Sequence, residues 1–239
     1  MGQIAKDLEP VDLAAIKPQH FSEDRLKESG AVWHVSGDAA PFAGPHEERL
    51  WEQYQKAIKM AAIDPDMLGD GARKITERIH QVGLQAFKSP WNVLYASHEP
   101  ERLFTELLLA NADYFDSFVR MPDRDAYCFP YSYKPSKAGR THTANEKFNP
   151  DYFIKVRSAQ DILVVEIKAD GDDSNRNRAK CRDGLKHFEE LNRRLNEHNE
   201  PWRYHFFFLS PDDYAPFFTR VREASFAGWS SGLMRELCD

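Results

Sequence analysis

The segment 148–170, FNPDYFIKVRSAQDILVVEIKAD, contains two apolar runs separated by a short polar connection. The runs 152–156 and 162–168 are rich in β-branched and aromatic residues, which is typical of strands. The connection around residues 158–160 is short enough to predict an antiparallel hairpin. Residues 163–165 are apolar on both faces, which predicts a strand buried in the middle of a sheet.

The second of these strands ends with two residues of opposite charge. Side chains alternate between the two faces of a strand, so Glu166 and Lys168 project to the same side and form one polar patch. Counting outward from the turn of the hairpin places Asp151 opposite the neighbourhood of Glu166. Two carboxylates and an ammonium then converge, and burial of such charges is costly unless a cation compensates for it.

This convergence predicts a site for a hard divalent cation. The carboxylates of Asp151 and Glu166 and the backbone carbonyl of Ile167 are oxygen ligands of the kind that Mg²⁺ takes, and Mn²⁺ can substitute. The ion activates water and neutralises charge on a reacting phosphate, while Lys168 orients or deprotonates the water or stabilises the developing charge. The predicted chemistry is phosphodiester hydrolysis. A solvated strand end is the alternative, because Glu-x-Lys and Pro-Asp are both common short sequences.

Length and charge limit the class of protein. A chain of 239 residues is long enough for one large domain, or for a domain of roughly 150 residues with an added segment. The net charge of -6 argues against binding of nucleic acid by bulk electrostatics. Residues 131–205 carry more Lys and Arg than Asp and Glu, so a polyanion is expected to meet that part of the chain.

Sorting signals and metal-binding spacings are missing from the sequence. No apolar stretch approaches the ~20 residues that cross a bilayer, and the N-terminus lacks a secretory pattern, so we expect a cytoplasmic protein without a membrane partner. The three cysteines, at 128, 181 and 238, are odd in number and widely spaced, which predicts free thiols. The histidines lack HxH or HExxH spacing, so a histidine-based metal hydrolase is disfavoured.

The N-terminal part of the chain differs in composition from the rest. Residues 1–48 are rich in turn formers and are interpreted as an arm, and helical periodicity follows in 47–60 and again in 72–87. We therefore divide the chain into an N-terminal arm and helical extension over 1–95 and a second domain over 96–239. No chemistry is assigned to the first of these.

The second part alternates between helical and strand patterns. A helix is predicted from Pro100, and a longer one from a cap at Asp173 or Ser174 to about His198. Four strands are predicted, with a polar loop over 134–147 between the first two. These strands are 127–133, 152–156, 162–168 and 202–209.

Asp151 followed across a hairpin by Glu166-Ile-Lys168 resembles the PD-(D/E)xK motif of nucleases with the restriction-endonuclease-like fold. The segments ERLFTELL, DYFDSFVR, FPYSY, NPDYFIKV and LVVEIKAD resemble, in that order, the C-terminal endonuclease domain of type III restriction enzymes and their helicase-linked relatives. The resemblance covers about residues 97–209. It implies an α/β fold with a restriction-endonuclease-like core, namely a helix, a three-stranded antiparallel meander, a helix and a further strand, after an N-terminal mainly helical extension.

The resemblance also implies further site residues. The first helix of such nucleases often supplies one more catalytic and metal-binding acid, and Glu101 fits best, with Glu99 and Glu106 as competitors. On the later helix, Lys180 and Arg178 are the implied nucleic-acid contacts. The sequence departs from the family pattern where Ala169 and an acidic loop, instead of Gly, follow Lys168.

The expected function is that of a Mg²⁺-dependent endonuclease acting on DNA. The resemblance implies restriction or another anti-phage role, with targeting supplied by a protein partner such as a helicase or ATPase or a defence-complex subunit, and an oligomer is compatible with it. The chain has no GxxxxGK[ST] loop, so ATP-driven translocation is not expected of it. The alternative function is a non-catalytic nucleic-acid-binding or scaffold module on the same fold.

Overall fold

The computed structural model of the protein describes residues 32–33, 45–63, 69–81, 93–96, 98–121, 127–135 and 143–238. A short 3₁₀ helix, Ala112–Tyr114, precedes the fourth strand. In chain order the helices and strands are β1 (Val32–Trp33), α1 (Pro45–Ile63), α2 (Asp70–Arg78), β2 (Ile79–Gln81), β3 (Val93–Tyr95), α3 (Glu99–Ala110), β4 (Phe115–Arg120), β5 (Phe129–Tyr133), β6 (Ala144–Phe148), β7 (Tyr152–Val156), β8 (Asp161–Ile167), α4 (Asn175–Glu197), β9 (Arg203–Leu209), α5 (Pro211–Arg222) and α6 (Gly232–Cys238).

A four-stranded mixed sheet in the order β4-β7-β8-β9 forms the centre of the fold. Strands β4, β7 and β8 pair antiparallel, and β8 pairs with β9 in parallel. Residues 162–167 of β8 are all buried, as expected for a strand with a neighbour on each side. The predicted α/β class and the buried central strand are confirmed.

The strand predicted over 127–133 is confirmed as β5, but its expected place as the first strand of the three-stranded meander is wrong. Strand β4 occupies that position beside β7, whereas β5 pairs with β6 in a separate two-stranded sheet. A register shift between Phe115 and Ser117 breaks the alternation of buried and exposed side chains in β4, which hides this strand from a pattern of period two. The predicted loop 134–147 is also too long, because the polar sequence of β6 begins at Ala144.

The long helix α4 lies where the sequence predicts it. Ser174, not Asp173, is its N-cap, and the Ser174 side chain accepts a hydrogen bond from the amide of Asn177. The helix packs closely on β9, since a Cβ at Gly184 would lie 2.5 Å from a ring carbon of Phe206. A larger residue at this position would push the helix away from the sheet.

The N-terminal predictions are correct in part. Helix α1 covers the predicted 47–60 and buries Tyr54 and Ala57. The second predicted helix is too long, because α2 ends at Arg78 and the chain continues as β2, which pairs with β3. The interpretation of 1–48 as an arm falls mainly outside the described residues, and the division of the chain at residue 95 stays a prediction.

Cys181 on α4 and Cys238 on α6 form a disulfide bond, so the prediction of three free thiols is wrong for this pair, and Cys128 is free. The two cysteines are 57 positions apart in sequence and meet only through packing of the two helices. Across the described ranges, no helix combines the length and the apolar character needed to cross a membrane.

Candidate active site

The β7–β8 hairpin brings Asp151 and Glu166 together. Tyr152 pairs with Val165, so the next residue outward on each strand places Asp151 opposite Glu166. The backbone oxygen of Asp151 accepts a hydrogen bond from the amide of Met121, and its carboxylate oxygen Oδ2 accepts one of 2.7 Å from the amide of Ile167. Backbone groups of two neighbouring strands therefore fix the position of Asp151.

Glu166 lies at the centre of a small charged cluster. Its side chain is only 2% exposed, and its oxygen Oε1 contacts the ammonium of Lys168 at 2.7 Å and that of Lys180 at 3.1 Å. Its other oxygen, Oε2, is buried and has no hydrogen-bond partner in the described part of the chain. We call Asp151, Glu166, Lys168 and Lys180 the Glu166 cluster.

The ammonium of Lys168 lies between two acceptors, because it also donates a 2.9 Å hydrogen bond to the backbone oxygen of Ile167. Burial is the largest single influence on the Lys168 pKa and acts to lower it, but the charges of Glu166 and Asp151 outweigh it, and the net pKa is raised. Lys168 is thus protonated at neutral pH. A protonated ammonium can orient water and stabilise negative charge, but it cannot act as a base.

Burial, and after it the neighbouring charge of Glu166, raise the pKa of Asp151, which is about 8. The charge of Lys168 and the hydrogen bond from Ile167 act in the opposite direction without restoring the usual value. Asp151 is therefore largely protonated at neutral pH. A cation bound beside it would favour the ionised carboxylate.

Of the three candidate helix acids, Glu101 is the one whose charge acts on Asp151. Its oxygen Oε2 lies 3.4 Å from the guanidinium of Arg120 on β4, and the Arg120 residue is buried. Glu99 lies 3.8 Å from Arg102, and Glu106 is exposed. The structure thus places Glu101 beside the Glu166 cluster with its carboxylate directed to Arg120.

The two predicted nucleic-acid contacts lie apart. The ammonium of Lys180 is engaged with Glu166 and lies 4.7 Å from the centre of the Phe148 ring. Arg178 instead donates to the backbone oxygens of Asp173 and Glu236. The separation is expected, because two residues along a helix differ in direction by about 200°.

Two contacts of the candidate site residues, those of Arg120 with Glu101 and of Lys180 with Glu166, are not predicted from the sequence. Arg120 was not considered because its strand, β4, was not predicted. The contact between Lys180 and Glu166 joins a helix to a strand across 14 positions of sequence and depends on the packing of α4 on the sheet. The sequence signal for this contact is a basic residue, Lys180, in the second turn of the helix that follows the Glu-x-Lys strand.

Two buried tyrosines with hydrogen-bonded hydroxyls lie near Asp151. The hydroxyl of Tyr152 lies 2.8 Å from that of Thr105, and Tyr214 on α5 donates a 2.8 Å hydrogen bond to the backbone oxygen of Pro100. Burial raises the pKa of Tyr152 to about 12. These hydroxyls stay protonated and act as hydrogen-bonding groups, so the ionisable chemistry of the site belongs to its carboxylates and lysines.

The donor set fits a hard divalent cation held by few protein ligands. Within the described ranges, no group of three or more His, Cys, Asp or Glu side chains is arranged to hold a metal ion. Two carboxylates and the carbonyl of Ile167 remain, and Mg²⁺ is typically held by one or two carboxylates while it keeps several waters. Buried Glu166 keeps one carboxylate oxygen without a hydrogen-bond partner among the described residues, and this oxygen is available to a cation.

No protein-family model, curated protein or solved structure matches the chain. The fold and the site together define a mixed α/β protein with a cluster of carboxylates and lysines at the end of its central strand.

Proposed function

We propose that the protein is a metal-dependent nuclease of the PD-(D/E)xK type that hydrolyses phosphodiester bonds of DNA. The observation that carries this proposal is Glu166, a buried carboxylate with one unpartnered oxygen that lies opposite Asp151 and 2.7 Å from the ammonium of Lys168. The order α3, β4, β7, β8, α4, β9 also supports it, because the restriction-endonuclease-like core has a helix, a meander, a helix and a further strand in this order.

Asp151 and Glu166 would hold Mg²⁺, or Mn²⁺ in its place, with the carbonyl of Ile167 as a third donor and Glu101 as a further acid. When bound, the ion supplies Lewis-acid activation of water and neutralises charge on the phosphate. Asp151 gives up its proton when it becomes a ligand, since its raised pKa keeps it protonated beforehand. Glu101 must leave Arg120 to take part.

The lysines have separate roles in this proposal. Lys168 is charged and partly exposed, so its ammonium can orient the attacking water and stabilise negative charge on the phosphate. Lys180 is more enclosed and holds the Glu166 side chain in place from the α4 side. Lys180 is therefore a positioning residue in our account instead of a nucleic-acid contact.

The setting of the reaction follows from the resemblance and the charge of the chain. A protein with a net charge of -6 gains little affinity for DNA from bulk electrostatics, so a partner that supplies targeting is part of the proposal. A helicase or ATPase, or a subunit of a defence complex, would serve this purpose in restriction or another anti-phage role in the cytoplasm.

Cleavage of supercoiled and linear DNA by the purified chain tests the proposal, with Mg²⁺, Mn²⁺ or EDTA. Cutting is expected only with metal, and Asp151→Asn and Glu166→Gln should abolish it. Asp161→Asn is the matched control, because Asp161 is an acid at the opposite end of β8 that pairs with His205 at 2.7 Å. Equal cutting by the parent and the two site variants would contradict the proposal. A folded parent protein that neither cuts DNA nor binds Mn²⁺ would favour the non-catalytic scaffold alternative.

A further inference from the structure

A cavity of about 490 Å³ lies between the β5–β6 hairpin, the first half of α4 and helix α6. Its volume is within the range of roughly 300–1,000 Å³ that is typical of small-molecule sites. The lining residues come from all three elements and their flanks. They are Ser132, Tyr133, Lys134, Thr143, Asn175, Arg178, Ala179, Arg182, Leu237 and Cys238.

The charged side chains that line this cavity, Lys134, Arg178 and Arg182, are all positive. Arg178 and Arg182 are held in place by Asp173 and Asp183, which lie outside the lining and offset two of the three charges. Within the described ranges, no carboxylate pairs with the ammonium of Lys134, which is exposed. Counted over the described residues, the cavity therefore keeps a net positive charge and is suited to an anion.

The guanidinium groups of Arg178 and Arg182 are held in position by other residues and still have N–H groups without a hydrogen-bond acceptor in the part of the chain that the structure describes. Arg178 donates to Glu236 and Asp173, and Arg182 donates to the backbone oxygen of Ser132 and to Asp183. Each guanidinium has five N–H groups, which is more than these contacts use. Fixed, partly satisfied guanidinium groups match the several oxygens of a phosphate better than a single-atom anion.

The remaining lining favours a ligand with a ring and polar edges. Ser132, Thr143 and Asn175 offer hydroxyl and amide groups, and the ring of Tyr133 forms part of the wall. The Tyr133 ring is fixed, because it stacks on Tyr131 at 5.9 Å and its hydroxyl donates to Glu146 at 3.1 Å. A nucleotide combines a phosphate with a flat ring that carries hydrogen-bonding groups.

The cavity is separate from the Glu166 cluster. Asn175, Arg178, Ala179 and Arg182 recur at the spacing of one helix face, whereas Lys180 leaves α4 in another direction to reach Glu166. Among the described residues that line the cavity there is no carboxylate side chain, in contrast to the two acids of the cluster. Occupancy of one site is therefore possible without the other.

We propose that this basic cavity binds a nucleotide through its phosphate. The group recognised is a phosphate monoester attached to a nucleoside. Both a free nucleoside monophosphate and the phosphorylated 5′ end of a nucleic-acid strand carry this group. The phosphate lies against Lys134, Arg178 and Arg182, and the nucleoside lies toward Tyr133. The inference does not depend on the proposed nuclease activity.

Isothermal titration of the full chain in EDTA tests the inference. The probes are AMP, inorganic phosphate, and a short oligonucleotide with either a 5′-phosphate or a 5′-hydroxyl. The parent is expected to bind AMP or the 5′-phosphorylated strand more tightly than inorganic phosphate or the 5′-hydroxyl strand. Binding of AMP identifies the free nucleotide as a ligand, and binding of the phosphorylated strand alone identifies the strand end.

Two substitutions of basic residues in the cavity lining test whether the phosphate binds there. Lys134→Gln and Arg182→Gln should each weaken binding about tenfold, as expected for loss of one charge-assisted contact. Lys134→Gln should leave the Tm unchanged, whereas Arg182→Gln also loses the hydrogen bond to the backbone oxygen of Ser132, so circular dichroism at the titration temperature checks that this variant is folded. Arg193→Gln on an exposed part of α4 is the matched control and should bind like the parent. Unchanged affinity in both cavity variants, or no binding of any phosphorylated probe by the parent, overturns the inference.

Discussion

The ammonium of Lys168 lies 2.7 Å from the Oε1 atom of Glu166, and a second ammonium, from Lys180, lies 3.1 Å from the same oxygen. One oxygen of a buried carboxylate is thus contacted by two cations, while Oε2 has no hydrogen-bond partner among the described residues. If Glu166 served only as a structural ion-pair partner, it would be more stable with one ammonium at each of its two oxygens. The asymmetry is consistent with a carboxylate that keeps one oxygen for a cation.

Metal affinity is expected to depend on pH through Asp151. Its pKa of about 8 means that a metal must displace a proton at lower pH, so Mn²⁺ affinity should rise by up to about tenfold per pH unit and level off above pH 8. Titrations at pH 6, 7, 8 and 9 measure this. An affinity that is independent of pH over this range would show that Asp151 is not a ligand.

Stability of the metal-free protein should show the opposite pH dependence. A carboxyl group whose folded pKa is raised stabilises the fold fully below its unfolded value of about 3.9, and this contribution is lost as pH rises through about 8. Urea unfolding in EDTA at pH 5, 7 and 9 should therefore show a larger loss of stability for the parent than for Asp151→Asn. Parallel curves for the two proteins would contradict the raised pKa.

Removal of Lys168 separates a catalytic from a structural role. Lys168→Ala should keep Mn²⁺ affinity unchanged or slightly improved, because an ammonium competes for Glu166 and cannot be a ligand, and DNA cleavage should slow by a factor on the order of 10² or more. Lys147→Ala, at an exposed position of β6, is the control. A variant that is less stable yet cuts as fast per folded molecule would assign Lys168 to structure alone.

The disulfide between α4 and α6 should contribute measurably to stability. It closes a loop across 57 positions of sequence, for which a stabilisation of roughly 2–4 kcal/mol is typical. Reduction with dithiothreitol, or Cys238→Ser, should therefore lower the free energy of unfolding by about this amount, whereas Cys128→Ser should have little effect. If a reductant leaves the Tm of the parent unchanged, the two thiols are not joined in solution.

The hydrophobic periodicity of short segments was sufficient to predict the β7–β8 hairpin at the centre of the fold and the charged residues at the end of β8. The β7–β8 hairpin has a short turn and two regular apolar strands, so its register follows from counting, and the register alone brings Asp151 opposite Glu166. Helix α4 has a Ser cap and a long amphipathic pattern. Both elements depend on interactions between residues that are close in sequence.

The features that were missed depend on contacts between distant segments. Strand β4 has a bulge that disrupts its alternation, and β6 has the polar composition of a loop because only Phe148 of this strand is buried. The disulfide and the contact of Lys180 with Glu166 arise only when α4 docks against α6 and the sheet. Sequence periodicity carries no information on such docking, so the contact partners of Cys181, Cys238 and Lys180 could not be predicted from it.

Anomalous scattering near the manganese edge, measured at pH 8 on crystals of the parent protein soaked in Mn²⁺, shows whether Asp151 and Glu166 hold a metal ion. We expect one ion bound by carboxylate oxygens of both Asp151 and Glu166, and its loss in Glu166→Gln crystals but not in Asp161→Asn crystals. The absence of an anomalous peak between Asp151 and Glu166 at saturating Mn²⁺ would rule out the proposed metal site.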